Sequence, residues 1–291
     1  MTPAGMLGRG LHAFSTAGKK YGAEWYILLI GLAIVVFMIV MTLLPWLFTT
    51  FNPSDQSGPQ LAPPGGVHVL GTDNLGRDIW ARIVWGAQTI LGVAFAAALM
   101  SSLIGIPLGL LSGFVGGPLD RILSLVMDSV YSFPGLILAI AFAAMLGPGV
   151  VNITLAVAVI YIPTYFRLVR GQTISIREEL YVEAAQVLGA KRWTILGRYI
   201  FPNVIATTVV VFSINIADAI MTEAALSYIG LGLPAGIPDW GMDLSMGKKF
   251  LPSGSWWLIT FPGMMIMTLA LGFTLLGEGL AEILNPKLLE K

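Results

Sequence analysis

A chain of 291 residues with 56% hydrophobic and only 11% charged residues, and a mean hydropathy of +0.82, falls far below the roughly 25% charge of an ordinary soluble domain. It reads as an all-α polytopic membrane protein. Sixteen basic against sixteen acidic residues leave no cationic excess for nucleic acid, and the absence of cysteine excludes disulfides, thiolate metal sites and a cysteine nucleophile. Two histidines, His12 and His68, are too few and too far apart for a metal cluster.

In chain order, a short polar segment, 1–24, precedes an apolar run over 25–48. That run exceeds the roughly 7–15-residue core of a cleavable signal, so it is read as a retained transmembrane helix. Trp25, Tyr26 and Trp46 near its ends suit the headgroup region. Next comes a loop, 49–85, rich in Pro, Gly, Ser and Asp. From Asp78 on, the apolar positions Ile79, Ile83, Val84 and Ala87 recur at helical spacing. They predict an interfacial helix leading into the second span, with a capped helix start as the plainer reading of Asp78.

The second span, 87–113, carries Ala97, Ser101, Gly105, Gly109 and Gly113 at a four-residue interval. One face is therefore bare of bulk and open to close approach by another helix. Spans over 120–145, 150–170, 204–231 and 256–279 follow, giving six in all, the last five forming a core over 86–285 with a tail at 286–291. Pro107, Pro134, Pro163 and Pro262 fall within four of the six and predict kinks.

With the N-terminus inside, twelve of the sixteen Lys and Arg residues lie on the cytoplasmic side; only Arg77, Arg82, Lys248 and Lys249 lie outside. The positive-inside rule is satisfied, so both ends and the polar segment 171–203 are expected in the cytoplasm, and the loops 49–85 and 232–255 outside. The 171–203 segment is too long for a simple turn between membrane helices. Helix formers fill 177–188, Gly189 breaks the run, and a second piece over 192–200 ends at Pro202. Two short helices joined at a glycine make a knob stiff enough to transmit force.

Two phosphate-like patterns fail. Between Gly241 and Lys249 the glycines are misspaced for a P-loop, and Gly230 to Gly236 misspaces a dinucleotide fingerprint and follows a membrane span. If the protein uses ATP, another chain binds it. Within apolar spans stand Asp128, Asp218 and Glu223, with Asn215 on the same helix face as Asp218. Two readings are open: a water-filled translocation path, or structural hydrogen bonds between helices. No nucleophile–base pair accompanies them, so an intramembrane hydrolase is not expected.

Glu183-Ala184-Ala185, Gly189 after three intervening residues, and Pro202 thirteen beyond that glycine resemble the EAA signature of permease subunits in binding-protein-dependent ABC importers. The sequence from His68 to Asp73 with Gly76-Arg77-Asp78, then Gly113 to Gly117 with Asp120, Asp128 before Phe133-Pro134, Leu226 to Gly232, Trp240-Gly241, Phe261-Pro262-Gly263 and Leu276 to Leu280 resemble the dipeptide, oligopeptide and nickel branch, in its second permease. The resemblance spans about residues 25–287 and implies a prokaryotic inner-membrane subunit that is not itself an enzyme. It pairs with a second permease, with two cytoplasmic ATPases that hold ATP and Mg, and with an extracytoplasmic binding protein. It also implies that Glu183, Ala184, Ala185, Gly189, Ala190 and Pro202 belong to the ATPase-coupling region. Peptides are the expected cargo, with nickel chelates, glutathione and oligosaccharides carried by relatives. A channel or ion-coupled carrier using Asp128, Asp218 and Glu223 is the competing reading, and a purely structural subunit the third.

Overall fold

The computed structural model describes residues 22–234 and 236–284. The N-terminal segment up to residue 21, with His12, and the tail 286–291 lie outside the described residues. Those described form helices and connecting turns, with three isolated bridges and no strand. Five helices are long and apolar enough to cross a membrane, six when one bent pair is taken as a single span.

The elements are α1 (Ala23–Leu43), α2 (Ile79–Val115), α3 (Gly117–Tyr131), α4 (Gly135–Leu146), α5 (Val150–Arg177), α6 (Leu180–Val187), α7 (Arg192–Ile195), α8 (Phe201–Tyr228), α9 (Trp240–Gly247) and α10 (Trp257–Ile283). Side-chain register fixes their directions. Gly105, Gly109 and Gly113 of α2 meet Tyr165, Phe166 and Thr173 of α5 in rising order, so these two helices run parallel. Tyr161 and Tyr165 on α5 face Thr222 and Asn215 on α8 in falling order, so α8 runs antiparallel. Leu28 packs on Gly279 and Ile34 on Gly272, which makes α1 antiparallel to α10. The 178–200 segment and the 116–117 turn therefore share one end of the bundle. The 49–78 loop, the 147–149 turn and the 229–256 segment share the other.

The small-residue face of α2 is the central seam. A Cβ on Gly109 would lie 2.7 Å from the Phe166 carbonyl oxygen, and one on Gly113 would lie 2.7 Å from that of Arg170. Only hydrogen atoms at these positions let the backbones touch. The Ser101 hydroxyl, also buried, lies 2.7 Å from the Ala158 carbonyl oxygen, so the seam is polar as well as narrow. Gly31, Gly272 and Gly279 make the same approach between α1 and α10.

Three sequence expectations change in detail. The helix beginning at Asp78 is continuous with the second span: α2 has 37 residues, about 55 Å at about 1.5 Å per residue, well beyond the roughly 30 Å hydrocarbon core. Its first turns bury Ile79, Ala81, Arg82, Ile83 and Val84 under the loops, so this is a covered helix start and not an interfacial helix. The third span is broken. Pro134 caps α4 and supplies no N–H to α3, and the two helices bend by 87°. Finally, α5 runs to Arg177, so the polar insert begins at 178. Its second helical piece does not stop at Pro202 but joins α8 through a π turn, Leu196–Ile200. Such a turn lets a helix absorb an irregularity without ending, and Pro202 sits in the first turn of α8.

Candidate functional site

At the 178–200 end, α6 is an eight-residue helix closed by a Schellman motif. The Gly189 N–H donates to the Gln186 carbonyl at 3.0 Å, and the Ala190 N–H reaches back to the Ala185 carbonyl at 3.0 Å. This pairing needs a left-handed residue at the turn, and Gly189 supplies it with φ +83°. The glycine therefore ends α6 and aims the chain into α7. Val182 is buried in a cluster with Leu110, Val169, Ile195, Ile200 and Val204, and Ala185, one helical turn on, is buried too.

The outward face is apolar. Val187 is 88% and Leu188 86% exposed, flanked by exposed Leu180 and Trp193. Glu183, Ala184 and Pro202 are exposed, Ala190 is half-buried, and Ala185 points into the bundle. The expected coupling residues are thus divided, and the resemblance did not single out Leu180, Val187 and Leu188. Desolvation, with Glu179 nearby, raises the Tyr181 hydroxyl above its ordinary value. Beneath α7 lies a cavity of about 600 Å³ lined by Phe114, Arg177, Gln186, Arg192 and Trp193. Arg177 ties that end of α5 to the Gly113 and Phe114 carbonyls at 3.1 and 3.2 Å.

Along the bundle, α3 is clasped to α5 by two ion pairs. Asp128 accepts from Arg167 at 2.7 Å, and Asp120 accepts from Arg170 at 2.7 Å while also taking the Ser112 hydroxyl. The Arg167 guanidinium also lies 4.2 Å over the Tyr131 ring. Both Asp128 and Arg167 are exposed, at 53% and 46% of their side chains, so Asp128 is a paired surface carboxylate on an amphipathic helix.

Asn215 and Asp218 meet in a different place. They line a recess of about 370 Å³ between α4, α5 and α8, together with Tyr131, Phe133, Tyr161 and Thr222. The Tyr161 and Thr222 hydroxyls are 2.9 Å apart. Glu223 is not part of it. Its fully buried carboxyl accepts from Ser227 at 3.1 Å, and the same hydroxyl lies 2.9 Å from Asp239. The four polar residues expected inside the spans therefore belong to three separate environments.

At the opposite end from α6, loop and helix starts are locked together. The Asp78 carboxylate caps α2 through the Ala81 N–H at 2.7 Å and holds His68 Nδ1 at 2.9 Å. Asp73 accepts from the Leu75 and Arg77 backbones and pairs with the Arg77 side chain at 2.6 Å. Arg82 donates through Nε to both Asp243 oxygens at 2.9 and 3.1 Å. Burial pushes the Asp243 carboxyl up, and the guanidinium opposes that push. The Trp240 indole donates to the Ile83 carbonyl at 2.9 Å and the Trp257 indole to the Thr72 carbonyl at 3.1 Å. The His68-to-Asp78 motif is thus a rigid cap over the bundle.

Residues 105–290 match the family described as binding-protein-dependent transport system inner membrane component. The chain is 37% identical to the probable D,D-dipeptide transport system permease of Escherichia coli, over 87% of this chain and 85% of that one. It is 38% identical to the dipeptide transport system permease of Alkalihalophilus pseudofirmus, over 89% and 86%. The glutathione transport system permease of Pectobacterium atrosepticum is 41% identical, over 77% and 74%. Among solved structures, the inward-facing MetNI methionine ABC transporter matches with a TM-score of 0.56 at 18% identity, covering 71% of this chain and 97% of that one. At that identity the likeness is one of fold.

Proposed function

The chain belongs to the inner membrane component family of binding-protein-dependent transport systems, and from that premise we propose that it is the permease subunit through which an ATP-driven importer moves peptides. Relatives carrying dipeptides at 37–38% identity over most of both chains support the cargo. It is a multi-pass inner-membrane permease subunit and not an enzyme. In this reading a second permease completes the path, two ATPase chains bind ATP and Mg, and a binding protein delivers cargo. The 178–200 end faces the cytoplasm, together with both termini, and the capped loops face outward.

One observation carries the coupling role. The outward face of α6 and its glycine turn presents Leu180, Val187, Leu188 and Trp193 with nothing among the described residues covering them, while the buried Val182 and Ala185 hold the same helix on the bundle. An apolar patch on a rigid mount fits a groove in a partner chain. Glu183, Ala184, Gly189 and Ala190 form the rim and turn of that contact. Ala185 and Pro202 hold it in place from the bundle side. Nucleotide-driven closure of the ATPases then moves the knob, provided its contacts differ between the two states.

Co-expression with the partner chains and reconstitution in proteoliposomes tests the reading. Peptide uptake is expected to need ATP and the binding protein and to be insensitive to ionophores. Uptake without ATP that collapses with the ion gradient would instead support a carrier.

A further inference from the structure

The recess between α4, α5 and α8 contains a carboxylate that the bundle leaves without a counter-charge. Among the described residues no cation lies within ion-pair distance of Asp218. By contrast, Asp120 is paired with Arg170 and Asp128 with Arg167, and Glu223 takes the Ser227 hydroxyl. Asp218 stands ten residues before the end of α8, about 15 Å by helical rise, which is half the roughly 30 Å hydrocarbon core. A lone carboxylate at that depth is costly unless it faces water or a ligand.

A second observation is independent of the charge. Asn215 is buried to 3% exposure and lines the same recess, with its amide Nδ2 sealed inside the bundle beside the Tyr165 hydroxyl. Beside it stand the paired Tyr161 and Thr222 hydroxyls and the Phe133 ring. The recess therefore offers an anionic oxygen, two hydroxyl oxygens and an aromatic wall within about 370 Å³, a size typical of small-molecule sites.

We infer that this recess is a cation-selective subsite that takes the α-ammonium of a passing peptide, with Asp218 as counter-charge and the Tyr161 and Thr222 hydroxyls beside it. An ammonium has three donors and no acceptor, which suits Asp218 with the Tyr161 and Thr222 hydroxyls. The Arg167 guanidinium beyond Tyr131 is already held by Asp128, and it makes no ion pair with Asp218. The subsite rests on the peptide-permease reading above, and its test is independent of uptake.

The chain has no cysteine, so Leu136→Cys places a single reporter thiol on the recess wall. The assembled importer in nanodiscs, both nucleotide-free and vanadate-trapped, is labelled with cationic and anionic methanethiosulfonates. The cationic reagent is expected to react faster than the anionic one by about tenfold, relative to a free thiol, in at least one state. Asp218→Asn should abolish that preference and Asp218→Glu restore it. A dipeptide with a free amino group should slow labelling, and its N-acetylated form should not. A charge preference that survives Asp218→Asn, equal protection by both peptides, or no labelling in either state would overturn the subsite. Protection by sodium ions and not by the dipeptide would overturn it too, in favour of an ion site. Loss of ATP-dependent peptide uptake in the wild type would instead overturn the permease reading and leave the labelling result standing.

Discussion

The Ala190 N–H donates to the Ala185 carbonyl at 3.0 Å across Gly189, whose φ is +83°. This contact joins the buried face of α6 to its exposed turn. Ala185 is fixed in the bundle, and the hydrogen bond passes that fixity to Leu188 and Gly189, so a partner meets a firm surface.

The turn makes a graded expectation possible. A Cβ added at Gly189 meets nothing within 4 Å, so substitution is penalised through backbone conformation alone. Ala pays about 1–2 kcal/mol for the left-handed region, Asn less, and Pro cannot adopt it. ATP-dependent uptake per ATP hydrolysed is expected to fall in the order Gly, Asn, Ala, Pro, with the thermal midpoint of the bundle nearly constant until Pro.

The seam between α2 and α5 gives a contrast in stability. Gly109→Ala pushes a methyl to 2.7 Å from the Phe166 carbonyl, whereas Gly92 on the same helix has open space around it. Gly109→Ala is expected to destabilise by about 1–3 kcal/mol as the helices part. Gly92→Ala should be neutral or gain up to about 1 kcal/mol in helix propensity. Thermal unfolding of the purified complex separates the two.

Arg82 and Asp243, both buried, are expected to behave as a unit. Removing one partner leaves an uncompensated buried charge and should cost about 3–5 kcal/mol, while replacing both with apolar residues of similar size should recover most of it. The comparison is Arg82→Met, Asp243→Leu and the double variant by thermal midpoint. Additive losses would mean that the pair does not act through its mutual charge.

What the sequence disclosed follows the range of its signals. The Gly105-Gly109-Gly113 spacing and the Asp78 cap are local patterns, and both translate directly into contacts. Ala185 was also legible in principle, because Val182 and Ala185 are one turn apart and share a face; grouping Glu183, Ala184 and Ala185 as one motif concealed that. The Asp128–Arg167 and Asp120–Arg170 pairs join residues 39 and 50 positions apart, and no spacing rule reaches so far. A kink was legible at Pro134, but apolarity runs through it, so the size of the break, 87° between α3 and α4, was not. Glu223 and Asp218 look alike as span carboxylates and separate only when α9 brings Asp239 over one of them.

Leu188→Asp tests the coupling role most directly, because its side chain is 86% exposed and holds nothing in the bundle together. Peptide uptake and ATP hydrolysis are measured together on the reconstituted importer, with the thermal midpoint as control. The expected result is at least about a tenfold loss of ATP-dependent uptake, as for a charge buried at an apolar hot spot, with an unchanged midpoint. Wild-type uptake by Leu188→Asp at an unchanged ratio of peptide to ATP would contradict a force-receiving role for this end of the molecule.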